Sequence, residues 1–170
     1  MEEFSRRLTG YPVVALVDLF SGYDQFSLDP VSHDITAFHR PLRLVRMTTL
    51  PMGYTNAMQV FDRFMRKVLQ PQILRWRCEP FIYDVATKPT SQSMYPEADG
   101  KPKISAILGV CLNISEAIQS LDEVLADMER AGRTISEFKS TFVCEGLKIV
   151  AFVCDSEGRH SVAAKMRKIV

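Results

Sequence analysis

The chain has 170 residues, 46% of them apolar, which is enough to build a core and excludes disorder throughout. Its 21 basic and 20 acidic side chains leave a net charge of +1, so nothing drives the whole chain toward nucleic acid or membrane, and polyanion binding has to come from local patches. Four cysteines, Cys78, Cys111, Cys144 and Cys154, form no C-x-x-C pair and have no histidine at ligand spacing. That pattern argues against zinc and for reduced thiols in an intracellular, non-secreted protein.

The opening MEEFSRRLTGYPVVALVDLF starts with acids and holds only a short apolar run broken by Asp18. It is neither a secretion signal nor a membrane span. Residues 13–20, VVALVDLF, have the β-branched, apolar composition of a buried strand. Asp18 lies near the end of that strand, and a buried carboxylate is costly unless it is paired or holds a metal. Turn residues at 21–30 end the strand. Residues 34–53 predict two short antiparallel strands with a turn near Pro41.

Residues 54–71 predict a helix with Thr55 or Asn56 as its cap and Pro71 as its stop. Met58, Phe61, Met65, Val68 and Leu69 make its apolar face. Residues 79–87, EPFIYDVAT, read as a second buried strand, with Asp84 beside Tyr83. Residues 88–112 read as a flexible, lysine-bearing connection (Lys88, Lys101, Lys103) and then a short strand at 104–112. Residues 113–132 predict the clearest helix, with a stripe of Ile114, Ile118, Leu121, Leu125 and Met128. A capping-box-like Asn113–Glu116 opens it and Gly132 stops it. The tail reads as a hairpin of strands at about 141–144 and 147–154, with Glu145-Gly146 at the turn. This order suggests an α+β sheet with both helices on one face.

Two strands of one sheet can bring Asp18 and Asp84 together. Neighbouring carboxylates repel and take up protons unless a cation neutralises them. A hard divalent ion such as Mg²⁺ suits such a site, and the chemistry implied is phosphoryl transfer between two metals. The alternative is two strand-end acids facing solvent.

LVDLFSGYDQFSLDPVSHDITAF resembles the block D-L-x-S-G-Y-x-Q…T-A-F of reverse transcriptases from Ty3/Gypsy-type LTR retrotransposons. TTLPMGYTNAMQVFDRFMRKVL is similar to the family's M-P-F-G-L-x-N-A-P-x-x-F-x-x-x-M. ISEAIQSLDEVLADMERAGRTISEFKSTFVCEGLKIVAFVCDSEGRH is similar to its helix, Lys-containing turn and FLGHxVSxxGI hairpin. The resemblance runs from about residue 8 to the end. It implies a polymerase palm with partial fingers: one partial domain over 1–170, with fingers-like strands at about 24–53. The thumb and RNase H segments of a parent polyprotein are expected to lie outside this stretch.

The resemblance also assigns roles. The family's aromatic-x-Asp-Asp hairpin aligns with Phe81-Ile82-Tyr83-Asp84. Asp18 and Asp84 match catalytic, metal-binding acids, and Tyr83 stands where the other metal-binding Asp is expected. Tyr23 matches the aromatic under the incoming sugar, and Met52 and Gly53 match a turn near the nucleotide. The implied ligands are Mg²⁺, deoxynucleoside triphosphates and a nucleic-acid primer–template. Phosphate contacts would come from Arg40, Arg43, Arg46, Arg63, Arg66 and Lys67.

A tyrosine offers one phenol oxygen, with a reference pKa of about 10, where an aspartate offers a full charge. Asp24, Asp29 and Glu79 are expected to lie too far off to compensate. Polymerase activity is therefore expected to be lost by orders of magnitude, leaving a degenerate retrotransposon relic. The alternatives are a non-catalytic nucleic-acid or protein-binding module, and weak residual activity from the two acids alone.

Overall fold

A computed structural model describes residues 2–90, 101, 103–105, 109–149 and 152–161. A short helix, α1 (Glu2–Arg6), leads into β1 (Val14–Asp18). A 3-10 turn over Gly22–Gln25 follows. Next comes the two-stranded ribbon of β2 (Phe38–Arg40) and β3 (Arg43–Val45), which turns at Pro41 as the sequence predicts. Helices α2 (Ala57–Val68) and α3 (Gln70–Leu74) precede β4 (Cys78–Phe81) and β5 (Asp84–Thr87). The long helix α4 (Leu112–Arg130) is followed by β6 (Thr141–Cys144), β7 (Gly146–Ile149), β8 (Phe152–Asp155) and β9 (Arg159–Ser161).

The central sheet has the order β4-β5-β1-β6 with antiparallel pairing throughout. Alternation along β1 decides what lies on each face. Val17 and Leu19 join Phe61 and Met65 of α2 and Val124 and Met128 of α4 in one core. Val14 joins Phe4, Leu8 and Tyr11, with Leu147, Ile149 and Cys154, in a second core. Both long helices therefore share one face of an α+β fold, and α1 with the β7-β8-β9 sheet covers part of the other.

Several expectations are corrected. The run 79–87 is not one strand but a tight hairpin: Phe81 pairs with Asp84, and Ile82-Tyr83 form the loop. Ile82 has φ 56°, a region that a β-branched residue rarely enters, and no Gly or Asn marks the turn in the sequence. Residues 141–144 do not pair with 147–154. They extend the central sheet beside β1, and the hairpin lies between β7 and β8. Pro71 opens α3 rather than closing α2, a position where its missing N–H costs nothing. Asn56 stands at the start of α2 but makes no side-chain cap bond, and Met58 is exposed.

The buried stripe of α4 is rotated from the predicted one. Asn113, Ala117, Ser120, Val124, Asp127 and Met128 face inward, while Ile118 is exposed. Small and hydrogen-bonded polar residues occupy that face: Gln72 Nε2 donates to Asp127 Oδ2 at 2.9 Å. Cys111, not Asn113, stands at the helix start. Gly132 ends the helix as predicted, at φ 67°, with the Arg133 N–H reaching the Met128 carbonyl at 2.9 Å. Lys88, just past the end of β5, is not a loosely held part of a flexible connection. It is buried, donates from Nζ to the Arg7 carbonyl at 2.7 Å, and stands over the Tyr11 ring. Residues 91–100 of the expected connection lie outside the described residues, as do 106–108 of the strand expected at 104–112. Ile104 makes only an isolated bridge to Cys111. The four cysteines are free.

Candidate active-site cleft

The β1–β5 register pairs Asp18 with Asp84. The Leu19 N–H donates to the Tyr83 carbonyl at 3.0 Å, one residue beyond that pair on each strand. Asp18 and Asp84 are therefore a non-hydrogen-bonded antiparallel pair, the kind whose side chains approach most closely. Alternation along both strands puts the two acids on the face away from α2 and α4.

Asp18 is buried, and its Oδ1 is out of solvent and accepts no hydrogen bond. The Lys139 ammonium stands 3.9 Å from it, beyond hydrogen-bond length. Burial pushes the Asp84 carboxyl up to about 6, and the charge of Asp18 and a hydrogen bond with it push the same way, while Lys139 opposes them.

The backbone around Asp18 is stitched to the segment before β6. The Asp18 carbonyl accepts from the Ser136 N–H at 2.8 Å. The Asp18 N–H donates to Ser140 Oγ at 3.1 Å, and Ser140 Oγ donates to the Ser136 carbonyl at 2.6 Å. Gln25 provides a second stitch. Its Nε2 donates to the Thr134 carbonyl at 2.8 Å and its Oε1 accepts from the Thr134 N–H at 2.8 Å.

A cleft of about 290 Å³ opens beside the acid pair. Asp18, Tyr23, Met52, Tyr83, Lys139 and Asp24 are among the residues that line it. Tyr83 is partly exposed at the hairpin loop. The Tyr23 ring packs on Phe61 at 4.9 Å between centroids, so this tyrosine is a core residue and a cleft wall at once. Gly22 leaves little room for a side chain: a Cβ there would come within 3.1 Å of the Phe61 ring and 3.3 Å of Tyr83 Cβ. Met52 is exposed at the rim, and Gly53, next to it, turns the chain at φ 90°.

The cleft thus gathers Asp18, Asp84's neighbour Tyr83, Tyr23 and Met52, which are far apart in sequence. One expectation about neighbouring acids is corrected: Asp24 does line the cleft, while Glu79 is buried elsewhere and paired with Arg7 at 3.3 Å. Even so, among the described residues no three His, Cys, Asp or Glu side chains converge as a metal-ligand group. Of the basic residues, Arg46 pairs with Asp34 and Arg66 with Asp62, both at 2.8 Å, and Arg40 faces Arg43 across the ribbon. Lys139, Ser140 and the clamp of Gln25 were not assigned from sequence; single polar residues in a polar run carry no spacing signal.

The antiparallel sheet, with two paired acids at the ends of its two central strands and the long helices on one face, matches the fold of reverse transcriptases. Foamy viral protease–reverse transcriptase in complex with dsDNA matches 96% of this chain at TM-score 0.72 and 19% identity, over 30% of that structure's own chain. A second structure of the foamy viral enzyme with dsDNA matches 99% at TM-score 0.77 and 18% identity, over 25% of its chain. The complex with an RNA/DNA hybrid matches 97% at TM-score 0.72. In sequence, the chain is 26% identical over 153 residues to the retrovirus-related Pol polyprotein from transposon gypsy of Drosophila melanogaster. That match covers 90% of this chain and 13% of the polyprotein. No family model matches the chain. The chain has a reverse transcriptase-like fold, and its sequence is similar to that domain of the retroviral and Ty3/gypsy type. No described helix is long and apolar enough to cross a membrane.

Proposed function

We propose that this domain is a reverse transcriptase palm whose cation site is degenerate, so that templated DNA synthesis is lost or reduced by orders of magnitude. The observation that carries this reading is the pairing of Asp18 with Asp84 while Tyr83 occupies the hairpin loop beside them. A buried, unsatisfied carboxylate oxygen next to a second carboxylate is donor chemistry that a hard divalent cation takes. Asp18 and Asp84 fit one such ion. Among the described residues no third His, Cys, Asp or Glu joins them, which favours one ion over two.

Mg²⁺ held there would supply electrostatic stabilisation of a transferring phosphoryl group. The chain's own contribution is to fix the two acids through the sheet register and to wall the cleft. Tyr23 and Met52, which line the cleft, would contact a nucleotide, and the exposed basic residues of β2, β3 and α2 would contact phosphates of a primer–template. Tyr83 adds a neutral phenol at pH 7 where the resemblance expects an anion.

Primer extension by the chain with Mg²⁺ and with Mn²⁺, beside a Tyr83→Asp variant, tests the proposal. The expected result is no extension by the unaltered chain and measurable synthesis by Tyr83→Asp. Robust synthesis by the unaltered chain overturns the reading.

A further inference from the structure

We propose that Lys139 is a tethered counter-ion that competes with divalent cations for Asp18 and Asp84 and so sets the cation affinity of the cleft. This rests on the reading that these two acids are the cation ligands. Lys139 is the only basic residue lining the cleft among the described residues. Its ammonium lies 3.9 Å from Asp18 Oδ1, the buried oxygen that accepts no hydrogen bond. Its charge also reaches Asp84, whose carboxyl it draws back down.

The backbone on both sides of Lys139 is fixed to β1. Ser136 donates to the Asp18 carbonyl and Ser140 Oγ accepts from the Asp18 N–H, three residues before and one residue after the lysine. The root of the side chain therefore stays beside the acid pair. Its end does not: the Lys139 side chain is 68% exposed and its ammonium makes no bond of hydrogen-bond length to Asp18. Such a side chain can swing toward solvent or toward Asp18. An ammonium and a divalent ion cannot occupy the same space between two carboxylates, and each repels the other. A lysine that only decorated the surface would leave cation affinity unchanged when removed.

The test is Mn²⁺ titration of the full chain, with free Mn²⁺ followed by electron paramagnetic resonance, at two KCl concentrations. Lys139→Met is expected to bind Mn²⁺ about tenfold more tightly than the unaltered chain at low salt, with a smaller ratio at high salt. Lys139→Arg keeps the charge and is expected to bind like the unaltered chain. Far-UV circular dichroism confirms that each variant is folded. Equal or weaker Mn²⁺ binding by folded Lys139→Met, or none at all, overturns the proposal. Asp18→Asn separates the two readings. Loss of binding in Asp18→Asn with no gain in Lys139→Met sinks only the role of Lys139. Unchanged binding in Asp18→Asn sinks the assignment of the acids as ligands, and the role of Lys139 with it.

Discussion

Replacing Asp84 by Asn isolates the energetic consequence of the acid pair. The Asp84 carboxyl moves from its ordinary 3.8 up to about 6. The folded state therefore holds this proton more tightly than the unfolded chain does. Between about pH 4 and pH 6 the folded state binds more protons, so stability falls as pH rises through that window and levels off above it. At 1.36 kcal/mol per pKa unit the shift carries about 3 kcal/mol if it acts undamped. Part of the carboxyl is open to water, and screening brings this to about 1–2 kcal/mol. Asn is nearly isosteric, carries no charge, and can donate to Asp18 in place of a shared proton. Urea denaturation in EDTA across pH 4.5–8 is the assay. Asp84→Asn is expected to be more stable than the unaltered chain by about 1–2 kcal/mol at pH 7.5, with the difference shrinking toward pH 4.5. Parallel pH profiles, or a variant that is less stable at pH 7.5, would show that the two carboxyls do not repel as the register implies.

Two further perturbations test how the cleft is built. Gly22→Ala places a methyl 3.1 Å from the Phe61 ring, which is fully buried and has nowhere to go, so stability is expected to fall by about 1–3 kcal/mol in the same denaturation assay. Gln25→Ala removes both hydrogen bonds to the Thr134 backbone, and a loss of about 1–2 kcal/mol is expected, with faster hydrogen exchange at the Thr134 amide.

Much of this architecture is legible in the residue pattern, because burial repeats with the period of the element that carries it. β1, the β2-β3 ribbon, both long helices and the Gly132 stop all follow such local rules. The errors have a common cause, which is tertiary contacts that no local pattern encodes. The residue pattern of 79–87 hides the hairpin that the family resemblance implies, because its loop is Ile82-Tyr83 and an Ile at positive φ contradicts turn propensity. The apolar period of α4 predicts a stripe of large residues, whereas the helix also buries the small Ala117 and Ser120 and buries Asp127 with a donor from Gln72. Glu145-Gly146 looks like a turn, yet β6 reaches across to β1. For the cleft, Asp18 and Asp84 are visible as lone acids in apolar runs. Lys139 and Asp24 gain meaning only once folding brings them to the same wall.

The placement of the acids also bears on whether such a domain could keep its shape without its chemistry. Neither Asp18 nor Asp84 belongs to the two apolar clusters on either side of the sheet. The pair opposes folding above pH 6, because burial and mutual repulsion have to be overcome by that packing. A third carboxylate at position 83, one residue from Asp84 and beside Gly22, would add a further like charge to the same cleft. If Tyr83 replaces such a ligand, as proposed here, the replacement relieves repulsion and leaves the hairpin register intact. Loss of the anion is then favourable for stability and unfavourable for cation binding. The two cores hold β1 against β5 either way, and so the acids remain face to face whether or not any reaction depends on them.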